Sequence, residues 1–254
     1  MSGGALGRVL VVTPTYDERL SIAAVVARLR AAVPDADVLI VDDNSPDGTG
    51  DVADELAAGD PAVHVLHRPG KVGLGAAYVA GFQWGLARDY QVLVEMDADG
   101  SHQPEQLPAL LSALQNADLV LGSRWVKGGS VSDWPATRMA LSRGGNTYVR
   151  LSLGLGLRDA TGGFRAFRRD LLESIDLDEV ASQGYCFQVD LAWRAVRLGA
   201  TVVEVPIAFM ERVQGRSKMS RAIVREALWL VTQWAVALRW RQARALVGAA
   251  RRGR

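Results

Sequence analysis

Two aspartates separated by one residue, Asp97 and Asp99, directly follow an apolar segment of the chain. A hard divalent cation that carries a diphosphate needs only one or two protein carboxylates, because phosphate oxygens and water supply its other ligands. Asp97 and Asp99 meet this requirement for Mg²⁺ or Mn²⁺. The Asp-x-Asp pattern is common, however, and a solvated turn with Asp99 or Ser101 capping a helix would also show it. The surrounding elements must decide between these interpretations.

Polar clusters close two earlier apolar segments in the same way. They lie at residues 14–18 and 42–47, and the Asp-x-Asp cluster spans residues 97–101. The apolar segments alternate with segments of helical period, an order that predicts βαβ units and a mostly parallel sheet with right-handed crossovers. Ligands of such sheets bind beyond the carboxyl ends of the strands. The three clusters are therefore expected to meet at one edge of the sheet.

The hydrophobic periodicity predicts the elements that position these clusters. Strands are predicted at residues 8–13, 37–43, 63–66, 90–96, 118–124 and 201–207. Helices are predicted at residues 20–33, 51–58, 73–87, 136–153 and 222–246. Neither an internal repeat nor a linker is visible, so the chain is interpreted as one α/β catalytic domain, residues 1–221, followed by a helical extension, residues 222–254.

The bulk composition is that of an ordinary globular protein, with 22% charged and 49% hydrophobic residues in a chain of 254. Cys186 is the only cysteine, so no intrachain disulfide can form, which fits a reducing cytoplasm. We expect Cys186 to be a small core residue. Residues 1–8 lack a basic segment followed by a long apolar run, so no signal peptide is expected.

Three segments of the sequence resemble the family-2 glycosyltransferases of the GT-A fold. These segments are Pro14-Thr15-Tyr16-Asp17-Glu18, residues 41–49, and residues 97–104. The resemblance implies a Rossmann-like, mostly parallel sheet flanked by helices. It also implies that the first segment frames the base and ribose of a nucleotide sugar, that an aspartate after the second strand contacts the nucleoside, and that the Asp-x-Asp binds Mg²⁺ or Mn²⁺.

A closer resemblance, from about residue 9 to residue 220, is to the polyprenyl-phosphate (dolichyl-phosphate) mannose synthases. It depends on residues 122–124, 142–146, 159–165 and 212–218. Those enzymes move mannose from GDP-mannose to a lipid monophosphate. The resemblance places donor contacts at Pro14, Tyr16, Glu18, Val41, Asp43, Asp97, Ala98, Asp99, Arg212 and Lys218. It places acceptor-phosphate contacts at Arg124, Arg138 and Ser142, and makes Asp99, Arg124 and Arg138 the catalytic residues.

The resemblance assigns the metal to Asp97 and Asp99. Ser101 stands where some members of the family have a glutamine that ligates the metal, so either Ser101 or water takes that position. The three histidines are scattered and none is interpreted as a ligand, although His102 lies beside the Asp-x-Asp segment and could order water there.

The chemistry explains these residue types. The departing diphosphate gains charge, which a divalent Lewis acid, Arg212 and Lys218 can stabilise. A phosphate monoester acceptor has a second pKa of about 6, so it is largely a dianion at neutral pH and needs no strong general base. It needs positioning, which arginine forks provide. Because no covalent nucleophile is evident, we expect direct displacement with inversion, from an α-linked donor to a β-linked mannosyl phosphate.

Three alternatives to a mannosyltransferase stay open on the sequence alone. A polyprenyl-phosphate glucosyltransferase that uses UDP-glucose would need the same Asp-x-Asp. A non-catalytic nucleotide-sugar-binding module would be expected to have a damaged metal site, yet Asp97 and Asp99 are both present. A nucleotidyltransferase is disfavoured, because no Gly-rich phosphate loop with a lysine follows the first strand.

The C-terminal segment is basic and amphipathic. Residues 212–254 contain 11 Lys or Arg and one acid, a net charge of +10, whereas residues 1–211 carry −9. A membrane-spanning helix needs about 20 apolar residues, and the stretch between Glu226 and Arg239 has 12 residues, two of them polar. We expect no transmembrane helix, and peripheral attachment to the cytoplasmic face of a membrane or to an integral membrane partner. Nucleic acid is disfavoured, since the basic residues are not interleaved with aromatics through the fold.

Overall fold

The first strand is buried on both of its faces. Leu10 and Val12 pack into an apolar cluster on one face of the sheet, and Val9 and Val11 pack into a second cluster on the other. A run of consecutive buried β-branched and leucine side chains is typical of a parallel strand covered by helices on both sides. The sheet therefore has two cores, and its ligand-binding surface must lie at an edge.

The computed structural model describes residues 6–180, 186–211 and 221–252. The described strands are β1 (Arg8–Thr15), β2 (Ala36–Asp42), β3 (Val63–His67), β4 (Tyr90–Glu95), β5 (Leu119–Ser123), β6 (Ser130–Val131), β7 (Arg165–Arg168), β8 (Val202–Pro206) and β9 (Ala208–Phe209). The described helices are α1 (Ile22–Ala32), α2 (Thr49–Gly59), α3 (Leu74–Leu86), α4 (Leu107–Leu114), α5 (Ala136–Leu153), α6 (Arg169–Ser174), α7 (Cys186–Arg197) and α8 (Arg221–Arg252).

The main sheet has the strand order β3-β2-β1-β4-β7-β5-β8. Its strands are parallel except β7, which runs antiparallel to both β4 and β5. A second, two-stranded parallel sheet joins β6 to β9. The expected mostly parallel α/β sheet is confirmed, and the carboxyl ends of β1, β2, β4 and β5 lie at one edge of it.

Each predicted strand and helix corresponds to an observed element, although several boundaries differ. Helix α8, for example, runs to Arg252 rather than to residue 246. The prediction missed α4, α6, α7, β7 and the short strands β6 and β9. Strand β7 has arginine at both ends, and its four residues show no alternation of apolar and polar side chains that would predict a strand.

Helix α3 lies unusually close to the sheet because of its glycines. A Cβ atom placed on Gly81 would lie 2.3 Å from Cγ1 of Val12, and one placed on Gly85 would lie 2.7 Å from Cδ2 of Leu93. Any side chain there would push the helix outward. The close approach seats Tyr78 of the same helix beneath the end of β4, where its ring is fully buried.

Helix α8 packs on the α/β domain through one of its faces. Trp234 stacks on Trp193 of α7 with ring centroids 5.4 Å apart, and Val231 is buried. The opposite face carries Trp229, Val236 and Trp240, each more than half exposed. Positions 229, 236 and 240 share one side of a helix. Among the residues that the structure describes, no helix combines the length and apolarity that a membrane crossing requires.

Candidate active site

The polar clusters meet at the sheet edge where they were expected. The hydroxyl of Thr15 at the end of β1 donates to Oδ1 of Asp42 at the end of β2, at 3.0 Å. The backbone N–H of Met96, just after β4, donates to the carbonyl of Val12 in β1 at 3.2 Å. The Asp-x-Asp segment therefore leaves the sheet beside β1, near its centre.

On the β1–β2 side lie the residues expected to contact the donor nucleotide. The ring of Tyr16 faces the ammonium of Lys71 at 3.8 Å, and the carboxylate of Asp43 pairs with Arg68. Burial raises the pKa of Asp43 above its ordinary value, because it outweighs the opposing charge and hydrogen bond of Arg68. Glu18 accepts a hydrogen bond from the Ser21 hydroxyl at 3.0 Å. These groups line a polar, partly buried edge of the sheet beyond the carboxyl ends of β1 and β2.

Not every expected donor residue lies on the surface. Pro14 is partly buried, whereas Val41 and Ala98 have almost no exposed surface. The structure therefore gives the side chain of Val41 no surface for a direct donor contact, because it belongs to the core between β2 and α3. Arg212 and Lys218, the two expected cationic donor contacts, lie outside the described residues.

Hydrogen bonds from a side chain and from the backbone help to hold the Asp-x-Asp segment. The Tyr78 hydroxyl donates to Oδ1 of Asp97 at 2.8 Å, and the backbone N–H of Ser101 donates to Oδ1 of Asp99 at 2.9 Å. The backbone N–H of Asp97 donates to Nδ1 of His102 at 3.1 Å, which requires the imidazole proton to be on Nε2. Burial lowers the pKa of His102, although Asp97 and Asp99 act in the opposite direction. The neutral side chain of His102 thus stabilises the turn of residues 97–102 by accepting a hydrogen bond from the backbone of Asp97.

The two carboxylates suit a metal that is shared with substrate. Asp97 and Asp99 both line the cavity described below. Across the described parts of the chain, no group of three or more His, Cys, Asp or Glu side chains is arranged to hold a metal. A pair of carboxylates fits Mg²⁺ or Mn²⁺ completed by diphosphate and water. Ser101 is buried and does not line the cavity, so in this arrangement water is the better candidate for the third position.

Beneath the Asp-x-Asp segment, the buried side chain of Arg165 stabilises the loop that precedes β7. Its guanidinium donates to the carbonyls of Ala160, Gly162 and Gln188 at 2.5–2.8 Å. The buried carboxyl of Glu95 lies 3.8 Å from it, and burial raises the pKa of Glu95 to about 8. Because β7 is antiparallel, this loop arrives at the same edge as the carboxyl ends of β4 and β5.

Arg124, an expected acceptor residue, is fixed by a buried ion pair. Its Nε and Nη2 donate to the two carboxylate oxygens of Asp159, each at 2.7 Å, and its backbone N–H donates to Oδ2 at 2.9 Å. Burial alone would raise the pKa of Asp159, but the charge and hydrogen bonds of Arg124 outweigh it and lower that pKa. Asp159 is therefore ionised and holds Arg124 in one orientation at the cavity.

Arg138 and Ser142 lie on α5 at the same cavity. Arg138 pairs with Glu211, and its Cζ atom lies 4.0 Å from the ring centroid of Trp134. Asn146 links α5 to the loop before β7, because its amide donates both to the Ser142 carbonyl at 3.1 Å and to the Thr161 hydroxyl at 3.0 Å. The structure thus brings together all three residues expected at the acceptor phosphate.

A cavity of about 500 Å³ joins the two halves of the site. Its charged end contains Asp97, Asp99, His102, Arg124 and Arg138. Its walls are mainly apolar and come from α5, α7 and α8, including Leu141, Val149, Val189, Leu228 and Val231. Such a cavity fits an amphiphile with an anionic head and an apolar tail. Cys186, expected in the core, is buried and also lines this wall.

Sequence reasoning did not assign a role to Tyr78, Trp134 or Asp159. The sequence does not indicate a role for Tyr78, because its partner Asp97 is 19 residues away and its helix is otherwise Gly- and Ala-rich. Asp159 stood inside a matched segment, and an acid there could have been proposed as the partner of a loop arginine. Trp134 directly precedes Pro135 at the start of a predicted helix, a position that indicates a structural boundary rather than a site.

A mostly parallel sheet with an Asp-x-Asp at the carboxyl ends of its strands is the arrangement expected of a nucleotide-sugar-dependent transferase. Residues 10–176 match the model of glycosyl transferase family 2, which is more than half of the chain. The chain belongs to this family. The expected family and fold are thus confirmed.

Two curated relatives are similar over nearly the whole chain. An undecaprenyl-phosphate mannosyltransferase of Micrococcus luteus is 59% identical over 95% of this chain and 99% of its own. A polyprenol monophosphomannose synthase of Mycolicibacterium smegmatis is 56% identical over 94% of this chain and 91% of its own. The resemblance to polyprenyl-phosphate mannose synthases that the motifs indicated is confirmed by these two relatives.

Solved structures share the fold at lower sequence identity. Glucosyl-3-phosphoglycerate synthase from Mycobacterium tuberculosis matches with a TM-score of 0.69 at 20% identity, over 92% of this chain and 84% of that one. A mannosyltransferase from Pyrobaculum calidifontis, in complex with GDP-mannose and Mn²⁺, matches with a TM-score of 0.55 at 16% identity, over 98% of this chain and 76% of that one. These matches establish a common fold.

Proposed function

We propose that this protein transfers mannose from GDP-mannose to a polyprenyl monophosphate and gives a β-linked polyprenyl-phosphate mannose. The observation that carries the proposal is the single cavity that joins the Asp-x-Asp carboxylates to two arginines and an apolar wall. The names and the high identity of the two curated relatives support the same substrates.

The donor half of the site holds the nucleotide diphosphate. Asp97 and Asp99 would hold Mg²⁺ or Mn²⁺, which supplies Lewis acidity at the diphosphate when bound. Tyr78 and His102 keep Asp97 in place through their hydrogen bonds, and the backbone N–H of Ser101 does so for Asp99. Tyr16, Glu18 and Asp43 face the nucleoside, and we expect Arg212 and Lys218 to add positive charge near the leaving phosphates.

The acceptor half positions a phosphate that is already ionised. Arg124, Arg138 and the Ser142 hydroxyl hold it so that one oxygen faces the anomeric carbon of mannose. That oxygen forms the new C–O bond while the bond to the GDP oxygen breaks, and the electron pair leaves with GDP. Attack from the side opposite the leaving group inverts the configuration. No proton transfer to a general base is needed.

The apolar wall and α8 suit a lipid acceptor at a membrane surface. The walls formed by α5, α7 and α8 would receive the first isoprene units. Exposed Trp229 and Trp240, with the exposed basic residues Arg225, Arg239 and Arg244, give α8 the composition of a helix that lies at a lipid–water interface. We propose peripheral attachment to the cytoplasmic face, either by this helix alone or together with an integral membrane protein.

The test is transfer of labelled mannose from GDP-mannose to polyprenyl phosphate with Mg²⁺ or Mn²⁺. Wild type should form a lipid-extractable product, and Asp99→Asn should lower kcat/KM by about 100-fold or more, because weaker binding of the divalent cation removes electrostatic stabilisation of the leaving diphosphate. Asp89→Asn is the matched control, since Asp89 is exposed in the turn before β4. Equal activity of Asp99→Asn and wild type would refute the metal assignment.

A donor panel and product analysis test the remaining parts of the proposal. GDP-mannose should be used in strong preference to UDP-glucose, and proton-coupled carbon NMR should show a β-linked mannosyl phosphate. Preferential use of UDP-glucose would favour the glucosyltransferase alternative. An α-linked product or a trapped mannosyl-enzyme would exclude direct displacement.

A further inference from the structure

An aromatic cluster, formed by Trp125, Trp134, Phe209 and His102, connects the acceptor arginines to the Asp-x-Asp turn. The ring centroids of Trp134 lie 6.3 Å from Trp125 and 5.4 Å from Phe209, both edge-on. Phe209 in turn meets His102 edge-on at 5.5 Å. Edge-to-face contacts at such distances stabilise one arrangement of the rings. Trp134 is the member that touches both of the other large rings and also lines the cavity.

Both acceptor arginines lie against the ring of Trp134. The Cζ atom of Arg138 is 4.0 Å from the ring centroid and that of Arg124 is 5.4 Å from it. A guanidinium within about 6 Å of an indole is attracted to its negative face, and most strongly where water is excluded. One aromatic ring thus offsets part of the repulsion between two neighbouring cations.

The two arginines differ in how their carboxylate partners are held. Asp159 is fully buried and remains with Arg124. Glu211 has 31% of its side chain exposed, so a phosphate dianion entering the cavity can replace it on Arg138. The stacking of Arg138 on Trp134 does not depend on that exchange. Trp134 is therefore the contact that keeps Arg138 in place while its anionic partner changes.

The backbone fixes the position of the Trp134 ring. Asp133, just before it, adopts a left-handed conformation with φ 60°, and Pro135, just after it, precedes α5. The N–H of Ser132 donates to the Phe209 carbonyl at 2.9 Å, which ties this turn to β9. The indole N–H of Trp134 is buried and, within the described residues, has no hydrogen-bond partner. The aromatic face, rather than the N–H, is the functional part of this side chain.

We propose that Trp134 is a positioning residue of the acceptor-phosphate site, which holds the Arg138 guanidinium beside Arg124 while the lipid phosphate takes the place of Glu211. The inference rests on the proposed function, since it assigns the two arginines to the acceptor. It requires that Trp134 act on acceptor binding through Arg138 and leave donor binding unchanged.

The first test is the kinetics of Trp134→Leu with GDP-mannose and farnesyl phosphate, a short isoprenyl monophosphate. We expect the KM for farnesyl phosphate to rise about 10-fold, which is the loss expected for a partly desolvated cation–π contact, with the KM for GDP-mannose unchanged. Trp134→Phe, which keeps an aromatic face, should restore most of the acceptor affinity. Trp84→Leu is the matched control, because it removes a similar contact, with Arg88 at 3.7 Å, outside the cavity lining.

The second test asks whether Trp134 acts through Arg138. In an Arg138→Gln background, Trp134→Leu should change the KM for farnesyl phosphate by less than about 2-fold. An equal loss in both backgrounds, or a rise in the KM for GDP-mannose of the same size, would overturn the proposal. If Trp134→Leu does not fold, as judged by its melting temperature, the same cycle with Trp134→Met, which also removes the aromatic face, decides the question with the same expected outcomes.

A third measurement separates this proposal from the proposed function. Calorimetric binding of farnesyl phosphate without any donor should be about 10-fold weaker for Trp134→Leu than for wild type. Wild type that binds farnesyl phosphate but transfers no mannose would refute the proposed function and leave the role of Trp134 standing. Equal binding by wild type and Trp134→Leu would refute the role of Trp134.

Discussion

The Tyr78 hydroxyl is the group through which α3 would act on the proposed metal site, because it donates to Oδ1 of Asp97 at 2.8 Å. Tyr78→Phe keeps the buried ring and removes only this bond. We expect the Mn²⁺ concentration for half-maximal activity to rise about 10-fold or more, since groups that orient a metal ligand contribute strongly to metal affinity. The measurement is a Mn²⁺ titration of mannose transfer.

Tyr90→Phe is the matched control for Tyr78→Phe. The Tyr90 hydroxyl also donates to an aspartate, Asp37, but at the start of β4 rather than at its end. Its loss should leave the Mn²⁺ dependence unchanged. A similar shift in both variants would mean that Tyr78 supports the fold and not the metal ligand.

The buried pair of Arg124 and Asp159 predicts a particular pH dependence of stability. At pH 7, Asp159→Asn should lower the free energy of unfolding by about 3–5 kcal/mol, because it leaves Arg124 buried without a counter-charge. The pKa of Asp159 is lower in the folded protein than in the unfolded chain. The contribution of the pair is therefore fully present above the unfolded pKa of about 3.9 and is lost as the pH falls through the folded pKa.

Urea unfolding of wild type and Asp159→Asn between pH 7 and pH 3 measures this effect. The difference between the two proteins should be constant from pH 7 to pH 5 and should narrow below about pH 4. A difference that widens on acidification would contradict the assignment of an ionised Asp159.

At the scale of single residues, the sequence indicated the charged groups that we propose reach substrate but not the groups that hold them. Asp97 and Arg124 stand in segments with recognisable motifs, Arg138 was assigned by the resemblance alone, and the structure brings all three to one cavity. Their supports act through tertiary contacts: Tyr78 and Asp159 are 19 and 35 residues from their partners, and Trp134 is close in sequence to Arg138 but lies in the turn before α5. Spacing along one chain carries no information about such contacts.

At the scale of elements, α8 has apolar side chains on two opposite faces, and only one of them packs on the domain. We expect the double variant Trp229→Ala, Trp240→Ala to bind liposomes at least about 10-fold more weakly, because large apolar side chains contribute most to binding at a lipid interface. Transfer to farnesyl phosphate without liposomes should be unchanged. Liposome flotation and the soluble assay measure the two effects.

Leu20→Ala is the control for this double variant, since Leu20 is 79% exposed in the turn before α1. It should bind liposomes as wild type does. If removal of the two tryptophans leaves binding unchanged, α8 is a packing helix only and attachment must depend on another part of the molecule.

The sequence predicted those helices and strands whose own residues show a clear hydrophobic pattern. Strands such as β1 and β2 are continuous apolar runs, and α5 was placed with the correct ends. Strand β7 could not be predicted, because its four residues become a strand only by pairing with β4 and β5. Helix α7 was missed because buried polar residues, Gln188 and Asp190, interrupt its apolar face.

At the scale of the whole molecule, positive charge is concentrated at the C-terminal end, with +10 on residues 212–254 and −9 on the remainder. Basic residues near an anionic membrane contribute about 1 kcal/mol each at physiological ionic strength. We therefore expect liposomes that contain anionic lipid to bind the protein at least about 10-fold more weakly at 300 mM than at 50 mM NaCl. Liposomes of phosphatidylcholine alone should show no such salt dependence, and an equal response of both would contradict an electrostatic contribution.

The antiparallel strand β7 also fixes the order in which the site can be assembled. Strands β1 to β4 pair among themselves and are complete by residue 95, so the nucleoside contacts expected at Tyr16, Glu18 and Asp43 can form as soon as that part of the chain has left the ribosome. Strand β5 has no contact of its own with β4 and joins the sheet only through β7. Arg124 can therefore take its final position only after the chain has been synthesised as far as Arg168, the end of β7, which includes its partner Asp159. The expected nucleoside contacts can therefore form before the acceptor side of the site, whereas Arg212 and Lys218, the expected contacts to the leaving phosphates, are synthesised last.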